Sequence, residues 1–244
     1  MRIPRIYLSL PLKVGATVLL DDNAFNHAVR VLRLNPGAPL VLFNGEGGAF
    51  AATLTDIGKR EAQVRITEAS PGEVESPLRV VLAQGISRGE KMDYTLQKAV
   101  ELGVVAIQPL FTERSGVALS GERLDRKVQH WRGIVIGGCE QCGRNRLPEV
   151  REPLTLTTWL LRSAEPGLRL LLDPLAERGL RGLEPPTGMV TLLIGPEGGL
   201  SPAEIAQAGT VGFSGIRLGP RILRTETAGM AALAAMQALW GDWV

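Results

Sequence analysis

Two short stretches hold residues whose types and spacing could do chemistry: LIGPEGGLSPAE, Leu193 to Glu204, and LGPRILRTETA, Leu218 to Ala228. Each ends an apolar run in Gly-Pro and leads into a helical pattern. In the first, Ser201-Pro202-Ala203-Glu204 is a strong helix start, with Ser as cap, Pro at the first helical position and Glu placed for a capping box. The Ser side chain then occupies backbone N–H groups that a phosphate would otherwise use. The turn has no Gly-Lys-Ser/Thr ending, so it is not a P-loop. Against GxGxxG, Pro196 follows the first Gly and Glu197 would repel a pyrophosphate. Two readings stand on this loop alone. One is a plain tight turn; the other is a turn whose glycines bring backbone close to a flat, neutral or cationic ligand, with a carboxylate beside it. In the second stretch, Arg221, Arg224, Thr225, Glu226 and Thr227 run directly into AGMAALAAMQALW. That helix is apolar almost all round and is expected to be buried on most sides.

Other candidates are more scattered. Arg114 ends the apolar run VVAIQPLF, where its cation suits a phosphate or a developing oxyanion. Glu140 and Arg144 lie four apart in a stretch that reads as helix, which places them on one face as a substrate pair or a surface ion pair. Cys139 and Cys142 form a CxxC, but with two Cys and two His in the whole chain a closed zinc site is hard to assemble, and two reduced thiols on a packed helix are expected, with no metal. Arg residues cluster at Arg123, Arg126 and Arg132 and again at Arg144, Arg146 and Arg151. Such clusters suit phosphate contacts and also occur as ordinary solvated faces.

The elements that must position these residues fall into two parts. The first seventy or so residues alternate in bursts such as RIYLSL, APLVLF and EAQVRIT, punctuated by Asn44-Gly45 and Gly47-Gly48, as in a small antiparallel barrel. One helix interrupts, DDNAFNHAVRVLRLNPG, capped by Asp22 or Asn23 and stopped by Pro36-Gly37; Ala24, Ala28, Val31 and Leu32 can face inward, leaving His27, Arg30 and Arg33 on a more polar side. EASPGEVESPL has the composition of a linker and puts the domain boundary between residues 72 and 73. Beyond it, apolar strands alternate with helices, which predicts an α/β fold with a parallel sheet covered on both faces and ligands at the carboxyl ends of its strands.

Charge is nearly balanced, 27 Lys+Arg against 25 Asp+Glu, so global charge does not announce a nucleic-acid partner. The weakly polar run from Ala228 to Trp240 is shorter than the ~18 residues of a membrane span. Pro4 and Arg5 interrupt the apolar segment that a signal peptide requires, and a cytoplasmic protein with no membrane partner is expected.

Taken together, LLIGPEGGLSPAE followed by IRLGPRILRTETA resembles the RsmE family of 16S ribosomal RNA (uracil-N3)-methyltransferases of the SPOUT superfamily. HAVRVLRL, QKAVELGV with PLFTERS, and WRGIVIGGCEQCGR match in the same order, so the resemblance covers nearly the whole chain. It implies a PUA-like RNA-binding β-barrel over residues 1–72 and, over 73–244, a SPOUT methyltransferase domain whose C-terminal part forms a deep trefoil knot. It further implies S-adenosylmethionine (SAM) as cofactor, a homodimer, and a uridine of 16S ribosomal RNA in the small ribosomal subunit as target. Carried onto this sequence, cofactor contact falls to Leu172 and Asp173, to Gly195, Pro196, Glu197, Gly198 and Gly199, and to Leu218, Gly219, Pro220, Arg221, Ile222, Leu223, Arg224, Thr225 and Thr227. RNA contact falls to His27, Arg30 and Arg33. Arg114, Glu140, Arg144 and Glu197 are the candidates for the chemical step, with no general base singled out. A SPOUT enzyme acting on ribose 2′-oxygen or a tRNA base, and a non-catalytic RNA-binding assembly protein, are the alternatives.

Overall fold

The computed structural model describes residues 3–117, 119–162 and 166–243. The chain divides into two compact units, one made of residues up to Glu75 together with Ile136–Leu147, the other of Ser76–Val135 and Pro148–Val244. The first boundary lies inside the Pro-, Gly- and Glu-rich stretch that reads as a linker. The return of Ile136–Leu147 to the first unit is not visible in any composition change.

In the first unit, β1 (Arg5–Tyr7), β2 (Thr17–Leu19), β3 (Pro39–Phe43), β4 (Ala49–Ile57) and β5 (Ala62–Ser70) form one sheet in the order β1-β3-β4-β5-β2. The sheet is not wholly antiparallel as expected: β1 pairs parallel with β3, and the other three pairings are antiparallel. The period-2 alternation of β5 is obeyed, with Ala62, Val64 and Ile66 buried against Ile6, Leu40, Leu42 and Leu54.

The expected single helix is a composite. α1 (Asp22–Phe25) is capped by Asp21, not Asp22 or Asn23, and runs into a π-helical turn, Asn26–Val31. Leu32 N–H donates to His27 O, five residues back. This wider turn breaks the 3.6-residue spacing. Ala24 and Ala28 are buried as predicted, but Val31 and Leu32 swing out to 63% and 39% exposure.

The second unit has a seven-stranded sheet in which every pairing is parallel. Its elements are β6 (Val80–Gly85), α2 (Glu90–Glu101), β7 (Val104–Phe111), α3 (Gly121–Cys142), β8 (Glu149–Val150), β9 (Leu154–Thr155), α4 (Leu156–Leu160), β10 (Gly167–Leu172), β11 (Met189–Ile194), α5 (Pro202–Thr210), β12 (Ser214–Ile216) and α6 (Thr225–Trp240). The strand order is β12-β10-β11-β6-β7-β8, with β9 also on β7. Every residue of β6 is buried, the mark of a strand covered on both faces. The inward side of α2 carries Met92, Leu96, Ala99 and Val100, all fully buried as its spacing requires. α6 departs from expectation. It buries one stripe, Gly229, Ala232, Leu233, Met236 and Gln237, while Leu239 is 46% exposed and Met230, Ala231 and Ala234 are half-buried. No helix among the described residues is long and apolar enough to cross a membrane.

Candidate functional site

The sheet places the two Gly-Pro loops side by side, because β11 and β12 flank β10 and all three point the same way. The loops after β10, β11 and β12 therefore leave from one edge, and between them lies a cavity of about 600 Å3. Of the residues assigned to cofactor contact from the resemblance, all but Pro220 and Thr227 line it. This is where a parallel sheet offers its ligand site.

Local chemistry sets up the β11 loop. Ser201 Oγ accepts from Glu204 N–H at 3.2 Å and Glu204 Oε2 accepts from Ser201 N–H at 2.8 Å, which completes the capping box expected from the sequence. The other carboxylate oxygen of Glu204 accepts from Glu113 N–H at 2.9 Å, so this 5%-exposed side chain also fixes the loop after β7. That loop presents Arg114, whose guanidinium donates to Gly198 O at 3.0 Å and Leu200 O at 3.3 Å. Arg114 thus clamps the glycine turn and itself lines the cavity.

The β12 loop is tied to the same turn by a buried link. Thr225 Oγ donates to Gly195 O at 2.6 Å, and the Gln84 amide reaches Gly195 O at 3.3 Å and Thr225 Oγ at 3.1 Å. Gln84 was missed from sequence. Its signal was a lone polar residue inside the apolar strand VVLAQG, where a buried amide requires partners.

Glu197 accepts from Arg88 N–H at 3.0 Å and lies 3.5 Å from Lys91 Nζ. Partial burial pushes its carboxyl up, but the backbone N–H groups of Glu197 itself and Arg88, with the Lys91 cation, outweigh this and hold it below its ordinary value. A carboxylate held low is a weak proton acceptor at neutral pH. Its depressed folded value contributes stability that is fully present above the unfolded value, near 4.5, and is lost as pH falls through the folded one. The Tm difference between wild type and Glu197→Gln should therefore be constant across neutral pH and shrink only in acid below that value. A difference that already changes near neutrality would contradict this assignment.

The remaining sequence candidates lie in the first unit. α3 ends at Cys142, so Glu140 and Arg144 do not share a helix face, and each has its own partner. Glu140 Oε2 is 3.0 Å from His27 Nδ1, and Oε1 accepts from Tyr7 N–H at 3.1 Å. Arg144 is buried and meets Glu75 through two contacts, Nε to Oε1 at 2.9 Å and Nη2 to Oε2 at 2.5 Å. The π turn thus brings His27 together with Glu140, a pairing that no helical spacing indicates. Arg30 stacks 5.6 Å from the Phe25 ring centre, and Arg33 takes a left-handed φ of 53°. Both cysteines are free; burial pushes the Cys139 thiol up to about 12. Among the described residues no group of three or more metal-type ligands occurs.

The family model for an RNA methyltransferase domain matches residues 74–237, and that for an RNA methyltransferase PUA domain matches residues 20–67. A Ribosomal RNA small subunit methyltransferase E of Buchnera aphidicola is 38% identical over 99% of this chain and 98% of its own length. The chain belongs to the ribosomal RNA small subunit methyltransferase E family. A solved methyltransferase E of Neisseria gonorrhoeae, bound to S-adenosyl methionine, is 42% identical with a TM-score of 0.93, each chain covered in full. A methyltransferase of Legionella pneumophila in complex with SAM matches at 42% identity and a TM-score of 0.96, again over both whole chains. The α/β fold with its parallel sheet and PUA-like unit is therefore the methyltransferase E architecture.

Proposed function

We infer that this protein transfers a methyl group from SAM to N3 of a uridine in the 16S ribosomal RNA of the small subunit. The observation that carries this reading is the cavity at the ends of β10, β11 and β12, in a chain 42% identical over its full length to SAM-bound methyltransferases. The residues present fit the cofactor. The cavity is of ligand size, walled by Ile194, Ile205, Ile216 and Leu218, and edged by backbone of the glycine turn. It offers no phosphate cradle, because the α5 cap is internally satisfied and Glu197 faces the turn. Asp173 and Glu197 suit a cationic ligand.

When bound, SAM supplies an electrophilic methyl carbon: the uracil nitrogen forms the new C–N bond, the C–S electron pair stays on sulfur, and a neutral thioether is left. The chain's part is to bind, orient and neutralise. Arg114 and Lys91 at the cavity rim stabilise negative charge as the imide N–H is lost. Glu197 holds Lys91 and the Arg88 backbone in place and is not the proton acceptor. The first unit, matched by the PUA domain model, serves RNA contact through His27, Arg30 and Arg33. Side-by-side exit of the β11 and β12 loops, cross-linked by Thr225 to Gly195, supports the trefoil knot. The half-exposed apolar side of α6 supports a homodimer, since monomers rarely leave such a face open. A cytoplasmic location follows from a ribosomal substrate.

N3 methylation blocks Watson–Crick pairing. Reverse transcription of small-subunit RNA incubated with the protein and SAM should stop at a single uridine. Full-length read-through at every uridine would sink the N3 assignment.

A further inference from the structure

Three carboxylates line the cavity, and the protein treats them differently. Asp173 Oδ1 accepts from Leu175 N–H at 2.9 Å. Glu197 has Arg88 N–H and Lys91. Glu226, in the first turn of α6, has no such compensation: its Oε2 is the one carboxylate oxygen among the described residues that is buried with no hydrogen-bond partner. Taking a carboxylate oxygen out of water without a donor is unfavourable. The amino end of α6 offsets part of this cost through its dipole. A cation brought into the cavity would offset more, since an oxygen out of water is only partly screened from it.

We propose that Glu226 is the charge-selectivity residue of this cavity, favouring the positively charged methyl donor over the neutral thioether that methyl transfer leaves. The donor and the product share adenosine, carboxylate and ammonium groups, so only the transferred methyl and the positive charge it confers on sulfur separate them. Discrimination by that charge lets spent cofactor leave while fresh cofactor binds. The inference rests on SAM binding as proposed above and deepens it.

The test is calorimetric and needs no turnover. Wild type and Glu226→Gln are titrated with SAM, with the neutral thioether product, and with an analogue that carries a cationic amine in place of the sulfonium. In the variant, affinity for both cations should fall about tenfold, the size expected for one partly screened charge a few Å away, while the thioether should change by less than about twofold. Retained thioether binding shows that the site is folded. Should Glu226→Gln fail to fold, Glu226→Asp keeps the charge and should keep the wild-type preference for cations. Equal weakening of all three ligands would make Glu226 a packing residue and overturn the proposal. Unchanged binding of all three would overturn it. Wild type that binds none of the three refutes the methyltransferase reading itself.

Discussion

Gly195→Ala should weaken SAM binding by roughly tenfold to 100-fold, because forcing apart closely packed atoms costs about 1–3 kcal/mol. A Cβ on Gly195 would stand 2.7 Å from both the Gly199 carbonyl carbon and the Leu200 nitrogen. Both are backbone atoms, so no side chain can swing aside, and the turn from Gly195 to Leu200 must open. The carbonyl of Gly195 would move with it and strain the bonds from Thr225 and Gln84 that join the two loops. Gly219→Ala is the graded control. It meets no atom within 4 Å but sits at φ +92°, so it carries only a left-handed backbone penalty of about 1 kcal/mol, near fivefold in affinity. Titration calorimetry separates them: equal losses at both positions would show that handedness, not close approach, governs the turn.

Arg144→Ala should destabilise the first unit by about 3–5 kcal/mol, because it leaves Glu75 without the guanidinium that two short contacts hold against it. The Arg144 side chain is 5% exposed and that of Glu75 20%. With two units in the chain, a single global unfolding energy is not well defined. Hydrogen exchange of the amides in Gly72–Glu75 and Gly143–Leu147 is the sharper measurement and should accelerate in the variant. Replacing both partners, Arg144→Met with Glu75→Leu, should recover most of the loss, since an apolar pair leaves no buried charge. Wild-type exchange in Arg144→Ala would refute the structural role and return Arg144 to the substrate candidates.

The glycines of the β11 loop serve two different ends. From sequence, the glycines of GPEGG admit the backbone to a ligand. In the structure, Gly195 is needed because the loop folds back on its own backbone, which presents the rest of the turn to the cavity. The distinction depends on how far the turn closes, and residue types do not encode that distance.

What the sequence determined by itself was whatever acts over a few residues or one repeat of an element. The Ser201–Glu204 capping box, the fully apolar β6, the buried side of α2 and the two Gly-Pro loops at strand ends were all legible, since periodicity and capping are near-neighbour effects. The family motifs added the ligand. Tertiary structure alone decided the pairings that hold the site: Gln84 to Thr225 across 141 positions, Glu113 to Glu204 across 91, and Thr225 to Gly195 across 30. It likewise gave Arg144 to Glu75, joined His27 to Glu140 through a π turn, and left Glu226 with a bare buried oxygen. A side chain's type limits which bonds it can make; which partner it meets depends on where the sheet order brings distant loops together.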